Sequence, residues 1–210
     1  MPIQKMRKHM LTKLKAKVQS AIKAQASIAH KVGLTPNMVS FTGAAQAFLA
    51  AFAYTLGREQ LPWAVLLLLL SGYCDMLDGA IARLHHKVTL FGGFLDSLLD
   101  RYADSAIYTG IILGGFCTIP WGLMALIGSL LVSYARARGE AANIKMESVG
   151  LAERPERIII LAAASIAEIY LMNAIETAII AIAILTHITV LQRSLHVRGT
   201  LKGGKTKDNL

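Results

Sequence analysis

Apolar residues are concentrated in six long blocks along the chain, and short polar segments separate these blocks. A helix needs about 20 mainly apolar residues to cross the hydrocarbon core of a bilayer. The pattern therefore predicts an all-α, polytopic membrane protein with six transmembrane helices. We expect these spans at residues 37–56, 62–84, 91–116, 120–141, 156–172 and 174–194.

The N-terminal segment has a different pattern. Residues 5–31 contain eight Lys or Arg residues and no acidic residue, and apolar residues recur there at steps of three or four. This is the pattern of an amphipathic helix. A basic helix of this kind is typical of an interfacial segment that lies against anionic lipid. The alternative is that the helix packs on the rest of the protein.

These patterns divide the chain into three segments. Gly33 breaks the basic helix, and Thr35 and Pro36 are typical of the N-cap and the first residue of a new helix. We therefore expect a juxtamembrane helix at 1–33 and one six-helix domain at 34–198. Residues 199–210 are rich in Gly and Lys and are predicted to form a flexible tail.

Composition and charge agree with a membrane protein. The 210 residues are 54% hydrophobic and carry a net charge of +9. In a membrane protein an excess of Lys and Arg marks cytoplasmic loops, and no basic stretch interleaved with aromatic residues indicates a nucleic-acid partner. If the chain crosses the membrane six times, both termini lie on the same side of the membrane, and most basic residues fall on that side. We expect a protein of the cytoplasmic membrane, surrounded by lipid bilayer, with both termini in the cytoplasm.

Four aspartates lie in or beside the second and third predicted spans. Asp75 and Asp78 end the second span, and Asp96 and Asp100 begin the third. Carboxylates in membrane helices cost about 2.5–3.5 kcal/mol each on insertion scales, so they usually mark a functional site. The helical spacing places each pair on one face, and a short loop makes the two helices antiparallel neighbours. We expect the acidic faces to converge on the cytoplasmic side.

Converging carboxylates need cations, because they repel one another strongly in a low dielectric. Hard divalent cations such as Mg²⁺ suit oxygen ligands, and two ions could bridge the carboxylates and a substrate's phosphates. The structural alternative is salt bridging to Arg83 and Arg101. Two arginines do not balance four acids, so a cation site is the stronger interpretation.

The aspartate string resembles the signature of the CDP-alcohol phosphotransferase family, which is D-x2-D-G-x2-A-R, about eight residues, and then G-x3-D-x3-D. The family's six-helix architecture also agrees with the predicted spans. The signature positions are occupied by Asp75, Asp78, Gly79, Ala82, Arg83, Gly92, Asp96 and Asp100.

This resemblance implies an enzyme that transfers the phosphatidyl-type group of a CDP-activated lipid to an alcohol and releases CMP. It implies metal ligation by all four aspartates, with Mg²⁺ as the ion, Mn²⁺ as an alternative and two ions in total. Asp100 is also the expected general base, and a homodimer is the expected assembly. The residues expected to contact the CDP-lipid are Thr35, Pro36, Asn37, Met38, Gly79, Ala82, Arg83, Thr89 and Gly92.

The acceptor is indicated by three stretches, 95–104, 133–141 and 150–157, and by Arg193. They resemble the branch that transfers to inositol phosphate, the phosphatidylinositol-phosphate and archaetidylinositol-phosphate synthases, although Arg136 stands where that branch usually has Lys. Arginine suits a phosphorylated acceptor because it donates to phosphate in bidentate fashion. Positive-inside topology alone is the alternative explanation. The expected acceptor phosphate-binding residues are Ser133, Arg136, Arg154, Arg157 and Arg193.

Two other functions stay open at this point. The same chemistry could use glycerol 3-phosphate or serine as acceptor. A cation or proton transporter could also carry aspartates in its helices, but its acids would be distributed through the membrane rather than gathered at one side. We interpret His85 and His86, in the loop between the second and third spans, as exposed loop residues.

Overall fold

The computed structural model describes residues 22–146 and 149–205, and all regular structure within these ranges is helical. The all-α prediction is confirmed, and each apolar block corresponds to one of the helices α2 to α7. A 3-10 turn at Arg58–Gln60 precedes α3. The helices are α1 (22–31), α2 (Pro36–Thr55), α3 (Leu61–Leu84), α4 (Leu90–Leu113), α5 (Ile119–Ala141), α6 (Arg154–Glu168) and α7 (Ala174–Lys205).

The start of α2 follows the predicted capping pattern. The Thr35 hydroxyl accepts a hydrogen bond from the Met38 N–H at 3.3 Å, and Pro36 is the first helical residue. Proline is preorganised for this position and has no N–H to leave unsatisfied.

Three helix ends differ from the predicted bounds. Helix α4 stops at Leu113 because Gly115 adopts a left-handed conformation with φ of 72°. Helix α6 stops at Glu168, and the chain then turns before α7. Helix α7 continues to Lys205, seven residues into the predicted flexible tail. Extending a formed helix adds one backbone hydrogen bond per residue, which offsets a glycine cost of about 1 kcal/mol.

Among the described residues, four helical segments are long and apolar enough to cross a membrane: Pro36–Thr55, Arg58–Leu84, Ile119–Ala141 and Ala174–Lys202. The other two predicted spans correspond to α4 and α6. Helix α4 carries Asp96, Asp100, Arg101 and Asp104, and α6 has only 15 residues and a charged first turn. The count of six spans therefore stays a prediction.

The described residues form two compact units, and the single six-helix domain at 34–198 stays a prediction. Unit 1 comprises residues 22–45 and Leu70–Asp100, and unit 2 comprises Gln46–Leu69 and residues 101–205. Helices α2, α3 and α4 are each divided between the two units, so the units change within helices and not at loops.

Unit 1 contains the described part of the basic N-terminal segment. Ala26 and Ala29 of α1 are buried in a small core with Val39 of α2 and Ile81 of α3. This part of the helix thus packs on the protein, as the alternative interpretation expected. Residues 1–21, which carry most of the predicted interfacial helix, lie outside the described residues.

Unit 2 has the larger core, in which α7 packs against both α5 and α6. Two buried hydroxyl pairs connect its helices: Tyr54 with Ser165 at 2.7 Å, and Ser129 with Tyr108 at 3.0 Å. Pairing satisfies polar groups that would be costly to bury alone. These contacts fix α2 to α6 and α4 to α5 within unit 2.

Candidate active site

Three of the predicted metal ligands converge in unit 1. Asp75 and Asp78 lie one turn apart on α3, and Asp96 lies on α4. One oxygen from each carboxylate lies within 4.8 Å of the other two. Asp78 is 5% exposed, whereas Asp75 and Asp96 are half-buried. We call Asp75, Asp78 and Asp96 the acidic triad, and the predicted convergence is confirmed for these three residues.

A hydroxyl from α2 supports the most buried member of the acidic triad. The Ser40 Oγ donates to Asp78 Oδ2 at 2.5 Å. Ser40 lies four residues after Pro36 and also contacts the Pro36 carbonyl oxygen at 3.1 Å. The capped start of α2 therefore places a hydrogen-bond donor against the carboxylate, which fixes its orientation.

Asp100 is not part of the acidic triad. It follows Asp96 by four residues on α4, which places it about 6 Å further along the helix axis. Its predicted roles as fourth ligand and general base therefore stay predictions.

A cavity of ≈ 330 Å³ adjoins the acidic triad in unit 1. We call it the aspartate cavity; its lining includes Asp78 and Asp96, together with Ser40, Lys87, Val88 and Gly93. The lining also includes seven of the nine predicted CDP-lipid residues, whereas Thr35 and Met38 lie outside it. The seven are Pro36, Asn37, Gly79, Ala82, Arg83, Thr89 and Gly92.

Two glycines in the wall of the aspartate cavity leave room for polar atoms of neighbouring residues. A Cβ on Gly92 would lie 2.8 Å from Thr89 Oγ1 and 3.4 Å from Asn37 Oδ1, and a Cβ on Gly79 would lie 3.0 Å from an Arg83 guanidinium nitrogen. The Thr89 hydroxyl also accepts the Gly92 N–H at 2.9 Å, which caps α4. A larger residue at either glycine would displace groups that a ligand could contact.

The predicted acceptor residues lie in unit 2, and two of them share one carboxylate. Arg157 donates to Asp104 Oδ2 at 2.7 Å, and Arg154 donates to Asp104 Oδ1 at 3.2 Å. Arg157 is 2% exposed and also donates to the Ala152 carbonyl oxygen. This network ties the start of α6 to α4.

Arg193 makes a second buried network in unit 2. Its guanidinium donates to the carbonyl oxygens of Val132 and Val149 and lies 3.4 Å from a Glu153 carboxylate oxygen. Arg136 is exposed and pairs with Glu140 at 2.8 Å. Ser133, the fifth predicted acceptor residue, lies on α5.

The model of the CDP-alcohol phosphatidyltransferase family matches residues 33–190 of the chain. The chain belongs to this family. This membership favours a transferase over the transporter alternative.

Several CDP-alcohol phosphatidyltransferases are similar over most of their length. The archaetidylinositol phosphate synthase of Pyrococcus horikoshii is 38% identical over 93% of this chain and 100% of the relative. The enzyme of the same name from Methanothermobacter thermautotrophicus is 44% identical over 83% of this chain and 89% of the relative.

The fold also matches crystal structures of the Mycobacterium tuberculosis phosphatidylinositol phosphate synthase at 28% identity and a TM-score of 0.74. One of those structures has CDP-DAG bound, and the match covers 84% of this chain and 92% of that chain. The other is in complex with manganese and citrate, and the match covers 84% of this chain and 88% of that chain.

The acidic triad fits a divalent cation by the chemistry of its donors. Its carboxylate oxygens are hard ligands of the kind that Mg²⁺ and Mn²⁺ take. Three such groups within 4.8 Å repel one another unless positive charge compensates them. The residues present therefore fit the divalent metal that a transferase of this family implies.

Sequence reasoning missed the partners of these charged residues. Ser40 carries no motif, and its position one turn after Pro36 is the only signal for its contact with Asp78. Asp104 follows the periodicity of the acidic face but pairs with arginines more than 45 residues away in the chain. The sequence predicts an exposed His85, whereas the structure shows it half-buried and stacked on His30 with ring centroids 3.8 Å apart.

Proposed function

We propose that this CDP-alcohol phosphatidyltransferase transfers the phosphatidyl-type group of a CDP-activated lipid to inositol 1-phosphate and releases CMP. The observation that carries the proposal is the acidic triad beside a cavity lined by Arg83, Thr89 and Asn37. Relatives named as inositol phosphate lipid synthases support the choice of acceptor.

The aspartate cavity is the proposed site of the CDP moiety. Arg83 supplies a cation for the diphosphate, and Thr89 and Asn37 supply polar side chains around Gly92. Gly79 and Ala82 leave room on the same face of α3. In this proposal the Thr35–Met38 turn approaches the nucleotide from the start of α2.

Asp75, Asp78, Asp96 and Asp100 are the proposed metal ligands, and Mg²⁺ is the proposed ion, with Mn²⁺ as the alternative and two ions as the expected number. When bound, such ions take up negative charge that develops on the phosphates and the leaving CMP. Ser40 orients the Asp78 carboxylate through its hydrogen bond.

Asp100 is the proposed general base. An alcohol with a pKa far above 7 needs a base within hydrogen-bond reach in order to attack. The acceptor hydroxyl gives its proton to the Asp100 carboxylate as its oxygen bonds to the phosphorus of the lipid-linked phosphate. The bond from that phosphorus to the CMP oxygen breaks, and CMP leaves with the electron pair.

The acceptor phosphate is proposed to bind Ser133, Arg136, Arg154, Arg157 and Arg193. Arg136 is exposed and pairs with Glu140, and the Arg154 side chain is 14% exposed and pairs with Asp104. Arg157 and Arg193 are both 2% exposed and already donate to carboxylate or carbonyl oxygens. Glycerol 3-phosphate is the second candidate acceptor, because the same arginines suit any phosphorylated alcohol. Serine carries no phosphate for them.

We place the protein in the cytoplasmic membrane as a homodimer with six spans per chain, and with both termini and the active site on the cytoplasmic side. Four helices of sufficient length and apolarity support a multi-pass arrangement. A cytoplasmic site would let soluble CMP leave while the lipid tails stay in the bilayer.

The test is CMP release by purified protein in detergent with Mg²⁺. CDP-diacylglycerol and CDP-archaeol would each be combined with inositol 1-phosphate, inositol, glycerol 3-phosphate or serine. We expect release with inositol 1-phosphate and either lipid. Release with glycerol 3-phosphate alone would keep the transferase and reject the acceptor, and no release with any combination would reject the proposed function.

A further inference from the structure

Lys87 lies in the aspartate cavity, although no motif position assigns it a role. It belongs to the loop between α3 and α4 and lines the cavity with Arg83 and Thr89. Its backbone is held by a hydrogen bond from its N–H to the Ala82 carbonyl oxygen at 2.9 Å. The loop therefore presents a second cation to the space where the CDP moiety is proposed to bind.

His30 of α1, a residue that is not part of the family signature, contacts Lys87. The Lys87 ammonium nitrogen lies 3.5 Å from His30 Nδ1, and the His30 ring lies against that of His85 at 3.8 Å with a tilt of 34°. Ala26 and Ala29 anchor α1 in the core of unit 1. The end of α1 is thus fixed where His30 can restrict the position of the Lys87 side chain.

The charges of this cluster favour a neutral His30. Desolvation, followed by the nearby His85 and Lys87, lowers the pKa of His30 from its usual value of 6.5. Neutral imidazole has one nitrogen that accepts a hydrogen bond, whereas imidazolium has only donors. His85 Nε2, on the ring that stacks against His30, is buried and has no hydrogen-bond partner within the described part of the chain. The lowered pKa of His30 therefore favours the form of its ring that can accept a hydrogen bond from Lys87.

We infer that Lys87 binds the diphosphate of the CDP-activated lipid and that His30 of α1 positions it. The inference rests on the proposed function and extends the substrate site beyond the signature residues. Arg83 and Lys87 differ in geometry: guanidinium donates as a planar fork, and ammonium acts as a compact charge on a flexible stem. A flexible stem gains most from a neighbour that restricts it, which is the role assigned to His30.

The first test is the binding of free CDP to the purified full-length protein in detergent with Mg²⁺, measured by calorimetry. We expect Lys87→Ala to raise the Kd for CDP about ten-fold, the size of one charge-assisted hydrogen bond at a partly exposed site. Lys87→Arg should restore most of the affinity. Lys31→Ala is the matched control, because Lys31 is an exposed lysine of α1 outside the aspartate cavity.

The second test separates positioning from general support of the fold. His30→Ala should raise the Kd for CDP in the wild-type background and leave it unchanged in the Lys87→Ala background, whereas His30→Gln, which keeps a hydrogen-bond acceptor, should preserve affinity. A loss of fold would instead weaken binding in both backgrounds.

Equal CDP affinities for Lys87→Ala and Lys31→Ala would overturn the inference, and additive effects of the His30 and Lys87 variants would overturn the positioning role. Both outcomes require that wild-type protein binds CDP. If wild-type protein bound no CDP with Mg²⁺ present, the proposed function itself would fail along with the inference.

Discussion

At the scale of single residues, the acidic triad depends on a hydroxyl that lies on a different helix. Asp78 is the most buried of the three carboxylates, and Ser40 is its hydrogen-bond donor. A partner of this kind orients a metal ligand before the ion arrives, and losing one typically costs ten- to a hundred-fold in metal affinity.

Ser40→Ala should therefore weaken Mn²⁺ binding by about ten-fold while leaving the helices intact. Thr42→Val is the control, because the Thr42 hydroxyl donates to a carbonyl oxygen of its own helix, that of Met38. Titration of Mn²⁺ by electron paramagnetic resonance would measure both variants. Equal affinities would show that the hydrogen bond does not organise the site.

Asp100 is predicted to act on the reaction rather than on CDP-lipid binding. Asp100→Asn should lower kcat by about 10²–10⁴-fold, the usual contribution of a general base, and should largely retain CDP-lipid binding. Asp75→Ala, in contrast, should lose metal-dependent nucleotide binding. Single-turnover CMP release together with CDP binding would distinguish the two variants, and retained turnover in Asp100→Asn would exclude it as the base.

At the scale of helices, the start of α6 is attached to α4 by buried charges. Asp104 accepts from both Arg154 and Arg157, and its side chain is 9% exposed. Removing one partner of a buried pair leaves the other charge uncompensated, which is far costlier than losing a surface ion pair.

Arg157→Ala would leave Asp104 paired with Arg154 but would remove the buried hydrogen bonds of Arg157 to Asp104 and to the Ala152 carbonyl oxygen. It should therefore lower the free energy of unfolding by about 1.5–3 kcal/mol, in addition to any effect on the acceptor KM. Arg136→Ala is the matched comparison, because its pair with Glu140 is exposed and should contribute about 0.5 kcal/mol or less. Thermal unfolding in detergent would measure both. Similar melting temperatures for the two variants would contradict the structural role of Arg157.

Helix α4 also approaches α2 closely within unit 2. A Cβ on Gly110 would collide with the carbonyl oxygen of Ala51, and small residues at such crossings allow helices in membranes to pack. The atoms that an added Cβ would meet belong to the backbone of Ala51, so no flexible side chain could move aside to relieve the clash.

Gly110→Ala should thus destabilise the protein by about 1–3 kcal/mol, as overpacking does. Gly199→Ala should be neutral or slightly stabilising. Among the described residues, no atom beyond its chain neighbours and the backbone of its own helix lies within 4 Å of an added Cβ, and alanine favours a helix by up to about 1 kcal/mol. Comparing the unfolding temperatures of Gly110→Ala and Gly199→Ala tests whether the clash with Ala51 outweighs the higher helix propensity of alanine at position 110.

At the scale of the whole molecule, the six-span arrangement predicts which exposed positions face the cytoplasm. A topology test with introduced cysteines uses a background in which Cys74 and Cys117 are replaced, so that only the introduced cysteine can be labelled. Both of these residues are buried. Burial, followed by the nearby Glu176 carboxylate, raises the pKa of Cys117 to about 11. Its reactive thiolate is therefore scarce at pH 7 and increases only as the pH rises towards that value.

In that background, Glu59→Cys should react with a membrane-impermeant maleimide added outside right-side-out vesicles, and Thr200→Cys should react only after the vesicles are opened. Both positions are exposed, so a difference reports the side of the membrane. Labelling of Thr200→Cys from outside would contradict the predicted cytoplasmic C-terminus.

Sequence alone predicted the helices and the acidic triad because both depend on local spacing. Asp75, Asp78 and Asp96 lie within one helix pair joined by a short loop, so local spacing is enough to predict that they converge. The same spacing also included Asp100, which is not part of the acidic triad. The Arg157–Asp104 and Arg193–Val132 contacts join residues 53 and 61 positions apart. Such contacts depend on how whole helices pack, and no periodic pattern in one chain specifies that.

Because the ribosome makes the chain from its N-terminus, the parts of the Arg193 network are synthesised at different times. Its guanidinium joins the Val132 carbonyl of α5 to the connection that carries Val149 and Glu153. The ribosome makes that connection about forty residues before it makes Arg193, and chains are made at about 5–20 residues per second. For several seconds, a nascent chain would hold its acidic triad while this connection lacked its final tether. We expect a stalled or shortened chain that lacks Arg193 to be a preferred substrate for membrane quality-control proteases.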